Sequence, residues 1–311
     1  MISIKIRAKI NISVYNQLDC TSIIYSLLLE GTQVKEINTE AIQGMIPKRE
    51  KESHKATYGR VLVIGGNEEM GGAIILTASA AVYSGAGLVT VATAKVNHTA
   101  LHARLPEAMV IDMYNNNRLL KQLATATVIV IGPGLGLSPE SLTILKSVLE
   151  QVTKEQRLII DGSAITLMAM HNLKTPVAKT TYTPHLGEWQ KLAHLKPTEQ
   201  NETLNIQARK ELKAFVVLKQ SRTEIYFLDE AWKNSHGNPA MATGGMGDTL
   251  AGMIAGFSAQ LKNYRFAIIS SVFLHSKIGD DLAKKQYVVL PSQIIERIPN
   301  EMKDFSTKFN F

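Results

Sequence analysis

The chain carries one cysteine, Cys20, in 311 residues. That excludes a disulfide framework and any metal centre built on thiolates. No apolar run reaches the roughly 18 residues a helix needs to cross a bilayer. There is also no lysine- and arginine-rich run interleaved with aromatics, so nucleic acid is not an expected partner. The formal net charge is only +7 and is scattered, which is compatible with an anionic small molecule. With 45% hydrophobic and 20% charged residues the composition is that of a globular protein, not a disordered one. Near the start, Lys5, Arg7 and Lys9 alternate with isoleucines, and an apolar patch follows at Ile23–Leu29. A signal peptide would keep its apolar region uninterrupted and end in a small-residue cleavage site, and Asn16, Gln17 and Asp19 spoil that pattern. The expectation is a cytoplasmic protein with no membrane partner, a peripheral extension over residues 1–31 and a single domain over 32–311.

What is present is an alternation of strands and helices. Thr39–Gln43 reads as a helix start and Arg49–His54 as a charged connection. Val61–Ile64, Leu88–Ala92, Thr127–Ile131, Leu158–Ile160, Lys179–Thr183 and Phe215–Leu218 read as strands, several of them continuous β-branched runs, and Ala73–Gly85 reads as a helix of small residues. Such runs separated by helical stretches predict an α/β fold of three layers, a mostly parallel central sheet with helices on both faces. Glu224–Leu228 and Ala231–Lys233, joined through Asp229-Glu230, read as a hairpin.

The stretch Asn238–Gly252 organises the rest. Its turn-forming Asn238-Pro239 leads through Thr243, Gly244, Gly245, Met246, Gly247 and Asp248 into a small, apolar, buried helix. Glycines ahead of a helix let backbone N–H groups converge on an anion, and the helix N-terminus adds partial positive charge. Asp248 is the odd member, because a carboxylate repels a phosphate. It is either an N-cap in a tight turn, or a base that takes a proton from a hydroxyl attacking phosphorus.

Ligands of open α/β sheets bind beyond the carboxyl ends of the strands, and five strand ends here carry polar or glycine-rich residues. They are Gly65–Ala73, whose spacing is not a dinucleotide fingerprint; Gly132-Pro-Gly134-Leu-Gly136; Asp161-Gly-Ser163; Pro184-His185-Leu-Gly-Glu188; and Lys219-Gln220-Ser221-Arg222-Thr223. Each has a bland reading: a turn, a helix cap, a first-turn acid or a solvated strand end. Asp161 reads equally as a holder of a metal-bound water or as a helix cap. Together the five predict a small-molecule site.

Ser53-His-Lys-Ala-Thr-Tyr-Gly59, Gly132–Gly136, Thr183–Glu188 and Asn238–Gly252 resemble the motif series of the NAD(P)H-hydrate dehydratases, repair enzymes of the ribokinase-like superfamily. The resemblance spans roughly residues 33–300. It implies a ribokinase-like fold and restoration of NADH or NADPH from its hydrate, driven by ADP or ATP, with Mg2+ bridging phosphates. It implies Asp248 as the catalytic base and an anion hole at Gly244, Gly245, Met246 and Gly247. Ala73, Ile74, Gly132, Gly134, Gly136 and His185 would meet the hydrated dinucleotide alongside Asp248. Lys219, Gln220, Ser221, Arg222, Thr223 and Gly247 would line the adenosine nucleotide's site, with Asp161, Glu188 and Asn238 in support. A homo-oligomer, a tetramer, and a separate epimerase are implied too, since a leader of about 31 residues is too short to hold the epimerase domain fused in some members. The chain departs from the family's usual residues at Gly162-Ser163, where Asp-Ala-Asp is common, at Gln220 in place of glycine, and at Met246 in place of threonine or serine. The alternatives are a vitamin-precursor kinase of the same superfamily, which has no need of Thr183–Glu188, and a silent nucleotide sensor, which has no need of Asp248.

Overall fold

A computed structural model describes residues 34–307, so the expected extension over 1–31 lies outside the described residues. Along the chain run β1 (Val34–Ile37), β2 (Arg60–Ile64), α1 (Gly71–Tyr83), β3 (Leu88–Thr93), α2 (His98–Arg104), β4 (Met109–Asp112), α3 (Asn116–Thr125) and β5 (Val128–Ile131). Then follow α4 (Pro139–Gln151), β6 (Arg157–Ile160), α5 (Gly162–Met170), β7 (Lys179–Tyr182), α6 (Leu186–Ala193), α7 (Glu202–Leu212) and β8 (Phe215–Leu218). The last elements are β9 (Glu224–Tyr226), β10 (Ala231–Asn234), α8 (Met246–Gln260), α9 (Tyr264–Ala283) and α10 (Pro291–Thr307). Several helices start where the side chain of Asn115, Ser138, Asn201 or Asn263 accepts a free first-turn N–H.

The strands form one ten-stranded sheet in the order β1-β10-β9-β8-β7-β6-β5-β2-β3-β4. Only the β8–β9 and β9–β10 pairs are antiparallel, so β9 alone runs against the rest, in the hairpin expected at 224–233. Alternate residues feed opposite faces. Val61, Val63, Val128, Val130 and Ile159 meet α1, α8, α9 and α10 on one side. Leu62, Ile64, Ile129, Ile131, Leu158 and Ile160 meet residues of α3, α4 and α5 on the other. This is the predicted three-layer α/β arrangement.

On the first face, α8 lies almost against α1. A Cβ built on Gly252 would stand 2.1 Å from the Thr77 carbonyl oxygen, and one on Gly256 would stand 2.6 Å from that of Ala81. Bare glycine at both positions lets the two backbones approach, and so fixes how α8 presents its first turn. Among the described residues no helix is long and apolar enough to cross a membrane.

One expected element does not form. Thr39–Gln43 is turn rather than helix, with single i→i−3 bonds from Gln43 N–H to Glu40 and from Met45 N–H to Ile42. Gly44 takes φ +74° and Pro47 follows, leaving too few residues to repay helix nucleation.

Candidate active site

The order β8-β7-β6-β5-β2 places the five polar strand ends side by side on one edge of the sheet, all pointing the same way. The chain leaves β2 to build β3 and β4 on one flank and returns to β5 on the other, so the crevice opens at a topological switch point. Beyond the strands the backbones stay paired. Gly66 N–H donates to the Pro133 carbonyl at 2.9 Å, Asn67 N–H to Gly134 at 2.7 Å, and Lys219 N–H to Pro184 at 2.8 Å. His185 and Lys219 are thereby neighbours across a parallel bridge.

The Gly65–Met70 turn is held by a residue the sequence did not flag. Asn97 is buried just beyond β3, and its amide donates to the carbonyls of Gly66 (2.8 Å) and Asn67 (3.0 Å). Its only sequence signal is its place past a strand's carboxyl end. The turn delivers α1, whose first N–H groups, Gly71 to Ala73, have no helical acceptor. Ile74 is fully buried against Gly65 and Gly66, so its side chain packs and does not face a ligand. Across the crevice, Gly132, Gly134 and Gly136 form the next turn. Gly136 N–H donates to Ser163 Oγ at 3.1 Å, so the serine standing at the family's usual second carboxylate ties this turn to α5.

At Asp161 the capping expectation does not hold. The side chain makes no cap hydrogen bond to α5. Its Oδ1 instead accepts from Thr183 Oγ1 at 2.6 Å and from Lys219 Nζ at 2.7 Å. Among the described residues no group of three or more His, Cys, Asp or Glu side chains is placed to hold a metal ion.

His185 caps α6. Its Nδ1 accepts from the N–H groups of Gly187 (3.0 Å) and Glu188 (3.2 Å), while Glu188 Oε2 accepts from His185 N–H at 2.8 Å. The two bland readings and the functional one coexist here, because capping uses Nδ1 and leaves an imidazole side chain 62% exposed at the crevice. Burial is the main cause that raises the Glu188 carboxyl above its ordinary value, against the pull of Lys219.

The 219–223 turn leans on the segment that enters the glycine loop. Arg222 donates to the Ser235 carbonyl, and Gly237 approaches the carbonyl of Ser221 so closely that a Cβ there would lie 2.6 Å away. Thr223 accepts at its carbonyl from Asn234 N–H, 2.9 Å. Asn238 then caps the short turn Pro239–Met241 through Ala240 N–H at 3.0 Å. Gln220 places its carbonyl 3.5 Å from Thr223 Oγ1.

Gly245 is the N-cap of α8, at φ +93°, a left-handed conformation, with Leu76 and Pro291 filling the space a side chain would need. Exposed Gly244 precedes it, and Met246 and Gly247 open the helix. The first-turn N–H groups are therefore free for an anion. Asp248 sits in that first turn but does not cap it, and it makes no hydrogen bond to the described residues. The capping reading fails. Burial first, then the carboxylates of Asp161 and Glu188, push Asp248 up to about 6, with Lys219 opposing. A carboxyl with that value, unspent on the protein, is suited to accept a proton near neutral pH.

Ser53–Gly59 lies elsewhere, before β2 at the amino end of the sheet, where Ser53 Oγ and Tyr58 OH are 2.7 Å apart. A cavity of about 1280 Å³ opens there too. Its Arg157 spends its donors on the Ser258, Leu261 and Lys262 carbonyls and so ties β6 to the end of α8.

Comparison with known proteins agrees with this geometry. The family model for NAD(P)H-hydrate dehydratase matches residues 61–300. An ADP-dependent (S)-NAD(P)H-hydrate dehydratase of Lactiplantibacillus plantarum is 52% identical over 88% of this chain and 98% of its own. A ribokinase-like superfamily protein of Enterococcus faecalis superposes with a TM-score of 0.86 at 47% identity, covering 88% of this chain and 96% of the other. The ADP/ATP-dependent NAD(P)H-hydrate dehydratase of Bacillus subtilis, co-crystallised with ATP and Mg2+, does so at 0.78 with 27% identity, over 88% and 99%. On its motifs, its fold and these relatives, the chain belongs to the NAD(P)H-hydrate dehydratase family.

Proposed function

We propose that the protein is a cytoplasmic repair enzyme that dehydrates the S epimer of hydrated NADH or NADPH, a carbon–oxygen lyase using ADP as co-substrate. The observation that carries this reading is Asp248: an uncapped, unpaired carboxyl behind a glycine N-cap, on the edge where five strand ends converge. Relatives at about half identity are named for this activity.

In the proposed mechanism Asp248 accepts the proton of the C6 hydroxyl as that oxygen attacks the terminal phosphorus of ADP. The bond from phosphorus to the bridging oxygen breaks, and AMP leaves with its electrons. Free N–H groups of the Gly244–Gly247 turn hold the charge that gathers on the transferring phosphoryl oxygens, where positioning and electrostatics supply most of the rate. Phosphate then departs from C6, a far better leaving group than hydroxide, and loss of the C5 proton restores the double bond. His185, Ala73 and the Gly132–Gly136 turn line the side taken by the hydrated dinucleotide. Gln220 to Thr223 and Gly247 line the nucleotide's side; Lys219 contributes there through its backbone, since its ammonium is engaged by Asp161. With no group of three or more His, Cys, Asp or Glu placed as a cage among the described residues, an Mg2+ would enter on the nucleotide's phosphates. Such an ion would neutralise phosphate charge. A separate epimerase supplying the S hydrate and a tetrameric assembly complete the proposal.

The test is incubation with the (S)-hydrate and ADP, following recovery of absorbance at the reduced-nicotinamide band and release of phosphate in equal amount. Recovery of neither, with phosphorylation of a vitamin-precursor alcohol instead, would replace this reading with the kinase one.

A further inference from the structure

Lys219 ends β8, yet its ammonium does not reach into the open crevice. Nζ lies 2.7 Å from Asp161 Oδ1, an oxygen that also takes the Thr183 hydroxyl at 2.6 Å. Asp161 is only 2% exposed. On the other side, Nζ rests against the glycine loop: a Cβ added to Gly247 would stand 3.0 Å from it. A cation is thus wedged between a buried carboxylate and the residue preceding Asp248. Burial disfavours a charge there, and the positive end of α8 repels it. Only anions can hold it, and three face it: Asp161 from β6, Glu188 from α6 and Asp248 from α8. Burial alone would lower the Lys219 ammonium, and these carboxylates keep it above its ordinary value instead.

We propose that Lys219 is a positioning residue for the proton transfer: its ammonium, anchored on Asp161, which Thr183 holds in turn, keeps the adjacent Asp248 carboxylate in its proton-accepting form. This rests on Asp248 acting as the base.

The surroundings leave that task to Lys219. Burial, Asp161 and Glu188 all drive Asp248 towards its protonated, useless form, and Lys219 is the charge that opposes them. His185 lies against Glu188, 3.7 Å from its carboxylate. From α9, the ring of His275 meets the Met246 backbone, and burial pushes it down to about 4, so it brings no positive charge. Leu76 of α1 and Pro291 of α10, which crowd Gly245 at the start of the same loop, bring no charge. Glycine at 247 follows from the same arrangement, since a side chain there would press on the ammonium.

The experiment compares Asp161→Asn with Asp161→Asn/Lys219→Met in the full chain. Asparagine keeps an acceptor for Thr183 while removing both the anion and its competition for the proton. The acid limb of kcat/KM should move down by about one pH unit in Asp161→Asn, and adding Lys219→Met should raise it again by about as much. Carboxyl-carbon NMR of Asp248, assigned by the resonance missing in Asp248→Asn, reads the same shifts without turnover. Lys219→Arg keeps the charge and should leave limb and resonance in place. Should Asp161→Asn fail to fold, Lys219→Met read against Lys219→Arg carries the test, with a raised Asp248 midpoint expected only in the former. A limb and a resonance that stay put in the charge-removing variants overturn the proposal, as does an effect confined to KM for ADP. A resonance that shifts while the limb does not would support the charge couple and dismiss Asp248 as the base.

Discussion

Replacing Asp248 by asparagine separates chemistry from stability, because the structure predicts opposite signs for the two. The carboxyl stands at about 6, raised first by burial and then by Asp161 and Glu188. In the wild type, kcat/KM should fall about tenfold per pH unit below that value, since only the ionised form accepts a proton. Asparagine cannot accept it at any pH. A loss of about 10²–10⁴ in turnover is expected, with KM for ADP little changed because the loop's N–H groups remain. Stability runs the other way. An acid whose folded value lies above its unfolded one stabilises the fold at low pH, and that contribution disappears as the pH rises through about 6. Holding the anion at pH 7.5 therefore costs the native state at most about 3 kcal/mol, from a shift of about two units. Asp248→Asn is relieved of that cost. Its melting temperature should exceed wild type by roughly 5 °C at pH 7.5, taking about 2 °C per kcal/mol for a domain of this size, and the gap should close towards pH 4. The assays are phosphate release with the (S)-hydrate and ADP, and thermal melts at the two pH values. An active variant would refute the mechanism. An inactive one that melts lower at pH 7.5 would show that Asp248 is a structural anion whose loss disturbs the loop.

Three further outcomes follow from other parts of the site. Gly245→Ala forces a side chain into a left-handed N-cap already crowded by Leu76 and Pro291, so it should cost about 1–3 kcal/mol of stability and nearly all phosphoryl transfer; a melt and turnover equal to wild type would contradict that. His185→Asn keeps an acceptor for the cap of α6 but removes the exposed imidazole edge, so KM for hydrated NADH should rise several-fold while KM for ADP stays; equal weakening of both would mark His185 as purely structural. A chain begun at Thr32 lacks none of the site motifs and should keep full turnover; a folded but inactive product would place a functional element within residues 1–31.

How much of this could be read from the sequence depended on burial. The central strands were legible because both their faces are covered, which leaves continuous runs such as Val128–Ile131. The outer strands were not. β1 is Val-Lys-Glu-Ile and β4 is Met-Val-Ile-Asp, and with solvent on one side neither keeps such a run. The hairpin at 224–233 was legible through its own turn, and the helix expected to start at Thr39–Gln43 does not form because Gly44 and Pro47 cut it short.

The site divides in the same way. Glycine density and strand-end position mark which residues can reach the crevice, since both are local properties, and five motifs found this way do lie on adjacent strands. What each side chain does once there is not local. Asp161 and Lys219 are 58 residues apart, and nothing in either motif indicates that one neutralises the other. Read singly, the aspartate offers a cap or a holder of a metal-bound water and the lysine a solvated strand end or a lining of the nucleotide's site; paired, they change the charge felt by a third residue, Asp248. The same pairing bears on the repulsion between Asp248 and an incoming phosphate. Three carboxylates without Lys219 would repel the nucleotide, and Lys219, engaged by Asp161, counters that repulsion beside the base. The couple permits both an anion-binding loop and an anionic base within one turn of α8, and only the fold could reveal it.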